Sequence, residues 1–327
     1  MRSLPRRSLV RLLAATALGA IALIGPAPAS ADIEGLEIIA PASPGGGWDQ
    51  TARAMQSVLQ GEGLASSVQV KNIPGAGGTI GLAQFATAER GQGDTILGAG
   101  QALQGAIITN KTPVTLEQVR PLARTVGEYE ILVVPADSEI KTLDDLVTKL
   151  KEDPGAVSWG AGSVGSTDHI LAALIMQAIG GDVGNLNYIA YSGGGEALAA
   201  VLGGHVTVGV SGYGEFGPQV DAGKLRALAV SSEERLPGID IPTLKEQGVD
   251  VAFANWRGLF APPDIPEADF QALADAVDKM VSSPAWQAEL EERKWVNLYQ
   301  PPEEFASFLA EDRAVMQDIL TNLGLAQ

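Results

Sequence analysis

AVSWGAGSVGSTDHILAALIMQAI, residues 156–179, reads as a short strand (156–159), a glycine- and serine-rich turn (160–167) and an amphipathic helix (167–179). A strand that runs through such a turn into a helix is one βα unit, and a chain of them builds an α/β fold on parallel sheet. The pattern recurs on both sides. Apolar runs at 36–40, 67–71, 95–99, 130–135, 187–190, 206–210 and 225–230 predict strands, and amphipathic stretches at 49–60, 79–89, 142–151, 194–202 and 214–222 predict helices. The last third differs: after a short run at 251–261, helices are expected at 266–281, 284–292 and 302–321, with no sheet of their own.

Five glycine-rich turns sit where helices should begin. They are Pro44-Gly45-Gly46-Gly47-Trp48-Asp49, Pro74-Gly75-Ala76-Gly77-Gly78-Thr79, Gly160 to Thr167, Ser192-Gly193-Gly194-Gly195 and Ser211-Gly212-Tyr213-Gly214. Helix N-termini present unpaired N–H groups and a partial positive charge, and in open α/β sheets they face the ligand crevice. Converging turns of this kind would form an anion cradle without a fixed cation. The competing reading is that any strand-to-helix turn favours Gly, Ser or Asp for its own geometry.

Composition removes other chemistries. The 327 residues contain no Cys and two His, 22 Lys+Arg against 39 Asp+Glu, and a net charge of −17. No thiol nucleophile, disulfide framework or cysteine metal site is possible, and His169 and His205 leave little for a histidine metal site. The acidity opposes binding to nucleic acid. Gly160-x-Gly162-x-x-Gly165 mimics a dinucleotide fingerprint, but the position for its ribose-binding acid holds Tyr191-Ser192. Ala161-x-Ser163-x-Gly165 is a degenerate nucleophile elbow whose histidine, His169, lies too close in sequence. Neither an enzyme nor a cofactor is expected, and no metal.

Residues 1–31 carry Arg2, Arg6, Arg7 and Arg11, an apolar stretch from Leu12 to Ile24, and the small-residue end Ala29-Ser30-Ala31. This is the order of a secretory signal peptide, cleaved after Ala31, and the apolar stretch is shorter than the about 20 residues that span a bilayer. Export by the Sec or twin-arginine route to the periplasm is expected.

Six segments, APASPGGGWDQTAR (40–53), VKNIPGAGGTIGLAQF (70–85), WGAGSVGSTDHI (159–170), YIAYSGGGEALAAVLGGHV (188–206), GKLRALAVSSEERLPGIDIPTLKEQG (223–248) and NWRGLFAPPDIP (255–266), carry a further resemblance. In content, order and spacing the chain resembles substrate-binding proteins of the tripartite tricarboxylate transporter family, the Bug or TctC family, nearly end to end. Ser192 stands where many relatives have a basic or polar residue, and Ser211-Gly212-Tyr213 lacks an acid.

The resemblance implies a type II periplasmic binding fold of two domains with two crossovers, each domain a mainly parallel sheet flanked by helices. Domain 1 would comprise 32–131 and 257–327, and domain 2 would comprise 132–256. It implies a monomer that captures a small di- or tricarboxylate, citrate-like favoured, and delivers it to the family's membrane permease. A periplasmic sensor or adaptor using the same fold is the alternative. Carried over, Pro44, Gly45, Gly46, Gly47, Trp48, Asp49, Gly75, Ala76, Gly77, Gly78 and Thr79 would hold the carboxylate from domain 1. Ser163, Ser166, Thr167, His169, Tyr191, Ser192, Gly193 and Ser211 would close from domain 2. Asp49 could instead cap its helix, Trp48 could cover either ligand or hinge, and Arg53, Arg124 and Arg257 are possible anchors for further carboxylates.

Overall fold

A computed structural model describes residues 33–326. The export signal expected at 1–31 lies outside the described residues. The first five elements follow the expected βα alternation: β1 (Leu36–Ala40), α1 (Gly47–Gly61), β2 (Val68–Asn72), α2 (Thr79–Ala88) and β3 (Thr95–Gly100). An unpredicted helix, α3 (Gln101–Asn110), leaves β3 without a loop, and β4 (Arg120–Pro135) is far longer than the 130–135 run suggested. Then come α4 (Leu143–Glu152), β5 (Trp159–Ala161), α5 (Thr167–Ala178), β6 (Tyr188–Ala190), α6 (Gly194–Leu202), β7 (Val208–Gly212), α7 (Tyr213–Asp221) and β8 (Leu225–Val230). β9 (Ala254–Ala261), α8 (Glu267–Ser282), α9 (Pro284–Arg293), the unpredicted β10 (Val296–Gln300) and α10 (Pro302–Asn322) complete the chain. β5 starts three residues later than expected because Pro154–Ala156 is a 3-10 turn, capped by the Asp153 side chain accepting from the Gly155 N–H.

The strands run β2-β1-β3-β9-β4-β7-β5-β6, with β8 and β10 also paired to β4. The outer pairings are parallel, β1 with β2 and β3, and β5 with β6 and β7. The crossover strands add antiparallel pairings: β9 to β3, and β4 to β9, β7, β8 and β10. Each sheet is therefore parallel at its outer side and mixed towards the middle, because β4 and β9 enter from the opposite direction. Along β4, Tyr129 pairs with Ala254 of β9, and the next residue, Glu130, pairs with Gly212 of β7.

Alternation places the core. Ile38 of β1 joins Met55, Leu59, Leu273 and Trp286 on one face, and Ile39 joins Phe85, Leu97, Phe260 and Phe305 on the other. Further along, Leu132 and Val134 of β4 pack with Trp159, Leu171 and Val208, while Ile131 and Val133 pack with Val201, Phe216 and Val230. Two lobes follow from these two pairs of core layers, and strands covered on both faces read as unbroken apolar runs. A smaller apolar contact joins Ile170 and Ala173 of α5 to Met316 and Leu320 of α10.

Candidate ligand cleft

The glycine-rich turns converge on one cavity of about 420 Å³, lined from both lobes. From the first turn Gly46, Gly47 and Trp48 reach it. The ring of Trp48 is a wall of the cavity and also covers the next turn, since a methyl on Gly78 would come within 2.8 Å of it. Pro44, Gly45 and Asp49 do not line the cavity. Asp49 lies inside the first turn of α1, which begins at Gly47, rather than before it. Its Oδ2 accepts from the Gly45 N–H (2.8 Å) and Arg53 Nε (2.9 Å), and Oδ1 from Asn72 Nδ2 (2.9 Å). Burial pushes this carboxyl up, but those hydrogen bonds and the Arg53 charge outweigh it and hold it below the usual range. Asp49 therefore does not cap α1, whose N-cap is Gly46 without a side-chain bond; it holds the preceding loop instead, and its pairing takes Arg53 out of consideration as an anchor.

From the second turn Gly75, Ala76, Gly77 and Gly78 line the cavity, all four with positive φ (125°, 48°, 66° and 91°). That run of left-handed backbone is why three of the four are glycine. Thr79 faces away and donates its hydroxyl to the Ala76 carbonyl at 2.9 Å, so it braces the turn rather than lining the cavity. Gly77 is also pinched between lobes: a methyl there would lie 2.5 Å from Ala106 Cβ and 3.1 Å from Ser163 Oγ.

From the second lobe Ser163, Ser166, Thr167, Tyr191, Ser192, Gly193 and Ser211 line the cavity as expected. His169 does not. Its ring stacks on Tyr188 at 4.0 Å and its Nδ1 accepts from the Gly165 N–H at 3.1 Å. Burial lowers its pKa to about 4, leaving a neutral imidazole with its proton on Nε2, a fixed brace for the turn. Arg124 is also elsewhere, donating from Nε to the Leu298 carbonyl at 2.9 Å and lying over the ring of Phe308.

The unexpected feature is acidic. Asp168, Glu196 and Glu215 line the cavity, and none of them is among the site residues expected from the sequence. Four of the five turns are supplied with a carboxylate from the chain itself. Besides Asp49 at Gly45, Asp168 accepts from the Gly162 N–H (2.6 Å), Glu196 from the Ser192 N–H (3.1 Å) and Glu128 from the Gly214 N–H (3.1 Å). The Gly75–Thr79 turn holds itself by backbone and hydroxyl bonds instead, with Gly78 N–H donating to the Gly75 carbonyl at 3.0 Å.

Among the described residues Arg257 of β9 is the cationic side chain lining the cavity, and it is committed. It is buried, pairs through Nη2 with buried Glu128, and donates from Nη1 to Thr51 Oγ1 at 2.9 Å. Glu215 accepts from Ser211 Oγ. Its pKa is pushed up to about 7, first by burial and then by the Glu128 charge, against the pull of Ser211 and Arg257. Buried Glu130 is raised well above its ordinary range by burial and by neighbouring Asp168, and Asp168 is raised by its own burial. The signal for Glu215 was its spacing: four residues after Ser211 at the start of α7, it returns to the same side of the turn. Asp168 sat unread between two residues that were named.

Among the described residues no group of His, Asp and Glu is arranged to hold a metal ion, and no helix is long and apolar enough to cross a membrane.

Residues 51–325 match the family model described as tripartite tricarboxylate transporter family receptor. The UPF0065 protein in the gbd 5' region of Cupriavidus necator is 32% identical over 269 residues, covering 81% of this chain and 80% of that protein. Protein BugT of Bordetella pertussis is 31% identical over 245 residues, 72% of this chain and 74% of its own. Among solved structures, the periplasmic binding protein BugD superposes with a TM-score of 0.80 at 23% identity, over 90% of this chain and 98% of that one. MatC from Rhodopseudomonas palustris with bound malate gives 0.78 at 21% identity, over 88% and 99%. A second R. palustris protein, solved with adipate, gives 0.79 at 20% identity, over 90% and 98%. These structures establish the two-domain periplasmic binding fold. With the family model covering most of the chain, this protein belongs to the TctC family of tripartite tricarboxylate transporter receptors, periplasmic solute-binding proteins that are not enzymes.

Proposed function

We propose that this protein is the receptor that captures a small organic carboxylate in the cleft between two domains and hands it to the membrane permease of a tripartite transporter. The observation that carries this is the single cavity walled by glycine-rich helix starts from both lobes. Malate and adipate in the fold relatives described above support the same ligand class. Domain 1 is assigned to 32–131 and 257–327 and domain 2 to 132–256, consistent with the exchange of β4 partners after Tyr129. We assign ligand contact to Gly46, Gly47, Trp48, Gly75 to Gly78, Ser163, Ser166, Thr167, Tyr191 to Gly193 and Ser211, with Pro44, Gly45, Asp49, Thr79 and His169 shaping the turns behind them. Export follows from residues 1–31 by the Sec or twin-arginine route, with cleavage after Ala31, and the working form is a monomer. A ligand bridging both lobes favours the closed form by its higher affinity for it.

The test is mass spectrometry of small molecules released from natively purified protein, followed by calorimetry with the acids found. A bound organic carboxylate is the expected result. Folded protein that neither carries nor binds any organic acid would overturn the reading.

A further inference from the structure

We infer that the last two turns of α10 form a strap: the first lobe lays them along the flank of the cleft onto the second lobe, and they hold the lobes together with no ligand present. This goes beyond carboxylate capture and stands whichever solute the cleft receives.

α10 changes its surroundings along its length. Its first half belongs to the first lobe. Phe305 is fully buried against Phe260, with ring centroids 5.3 Å apart, and meets Trp256 edge-on at 5.7 Å. Asp312 accepts from Gln104 Nε2 of α3 at 2.8 Å and from Trp256 Nε1 at 3.1 Å. One turn later the neighbours are different. Met316, Leu320 and Leu323 repeat at i, i+4 and i+7 and are buried, while Val315, Gln317 and Asp318 beside them are exposed. The stripe is covered from the second lobe, by completely buried Ile170 and Ala173 of α5 and by Leu174, Leu186 and Phe253. The last three also pack on the core layer of Leu132 and Trp159, so the stripe closes onto the second lobe's own core. The seam lies beside the cleft. Phe253 directly precedes the crossover strand β9, and Ile108 of α3, which also packs on the seam, is one turn beyond Gly105, where a methyl would lie 2.1 Å from the Gly165 carbonyl oxygen.

The helix has no place to yield. Residues 303–322 contain neither Gly nor Pro, the usual sources of a kink, and the 21 continuous residues of α10 make a rod about 30 Å long. With its front held by Phe305 and Asp312, rotating the lobes apart lifts Met316, Leu320 and Leu323 off α5 and wets apolar surface that is now covered on both sides. That cost opposes opening and is independent of anything in the cleft.

The chain has no cysteine, so one spin label can be introduced on each lobe without removing any native residue that would compete for it. Labels on Gln84→Cys of α2 and Ala199→Cys of α6, both exposed and both outside the seam, report lobe separation by double electron–electron resonance on ligand-stripped protein. The labelled parent should give one dominant short distance. Leu320→Asp should make a component longer by about 3 Å or more, room for the water that enters, the major one. Leu323→Ser, at the end of the helix, should raise the same component to a smaller share and serves should Leu320→Asp not fold. Leu146→Ala, which empties a fully buried site of the second lobe on α4, outside the seam, should lower the melting temperature and leave the distance where it was. A parent already at the long distance, a distance unmoved by the folded seam variants, or an equal shift in Leu146→Ala would overturn the strap. Carboxylate capture is untouched by any of these results, since the measurement contains no ligand.

Discussion

Gly105 of α3 offers a way to separate closure from folding. A methyl placed there would lie 2.1 Å from the carbonyl oxygen of Gly165, in the turn that precedes α5 on the other lobe. That is more than about 1 Å short of ordinary contact, and the obstacle is backbone, which cannot rotate away. Gly105→Ala should therefore hold the lobes apart. Overpacking of this kind costs about 1–3 kcal/mol, which charged against the closed form alone weakens ligand about 5- to 150-fold. The same change has the opposite effect within the first lobe, because Ala in a helix is favoured over Gly by about 1 kcal/mol. Ligand-free protein should then melt about 2 °C higher. Calorimetry with the native ligand and differential scanning of the empty protein read the two effects separately. Unchanged affinity would refute the inference that this contact belongs to the ligand-holding form, and a lowered melting temperature would show that the clash is felt inside the folded lobe instead.

Arg257→Met should cost about 3–5 kcal/mol in urea unfolding by leaving buried Glu128 without its partner, and adding Glu128→Gln should return most of it; a single variant costing under about 1 kcal/mol would contradict the buried pair. The pH dependence of stability should show two opposed slopes. Glu215, raised from 4.5 to about 7 by burial and Glu128, contributes stability present below pH 4.5 and lost as pH rises through 7. His169, lowered from 6.5 to about 4 by burial, contributes stability present above 6.5 and lost as pH falls through 4. Denaturant melts from pH 4 to 8 should lose the first slope in Glu215→Gln and the second in His169→Gln, and profiles identical to the parent would contradict these environments.

The helix starts were legible because Gly, Ser and Asp clusters have few other uses at the end of an apolar run, and α1, α2, α5 and α6 begin within two residues of expectation. The unread elements lack a period. QALQGAIITN of α3 is buried on several sides and leaves β3 directly, so neither a stripe nor a turn marks it. RPLARTVGEY at the start of β4 carries Arg124 and Glu128 into the interior, and charged residues argue against a strand unless their partners are known. Those partners come from β9, β10 and α7, all distant in sequence. For the same reason the glycine turns were taken as open anion sites: spacing shows a helix N-terminus, but not that Asp168 or Glu196 has already claimed it.

The exchange of neighbours along β4, from Ala254 opposite Tyr129 to Gly212 opposite Glu130, bears on how the receptor moves. The lobes are joined there by a continuous hydrogen-bonded strand instead of a slack loop, so a rotation of one lobe against the other would have to be taken up as a change of twist in β4 and its partners. Such a ribbon behaves as a torsion spring: it has a preferred angle and resists displacement in both directions. A receptor that closed on its ligand would work against the elastic resistance of those strands.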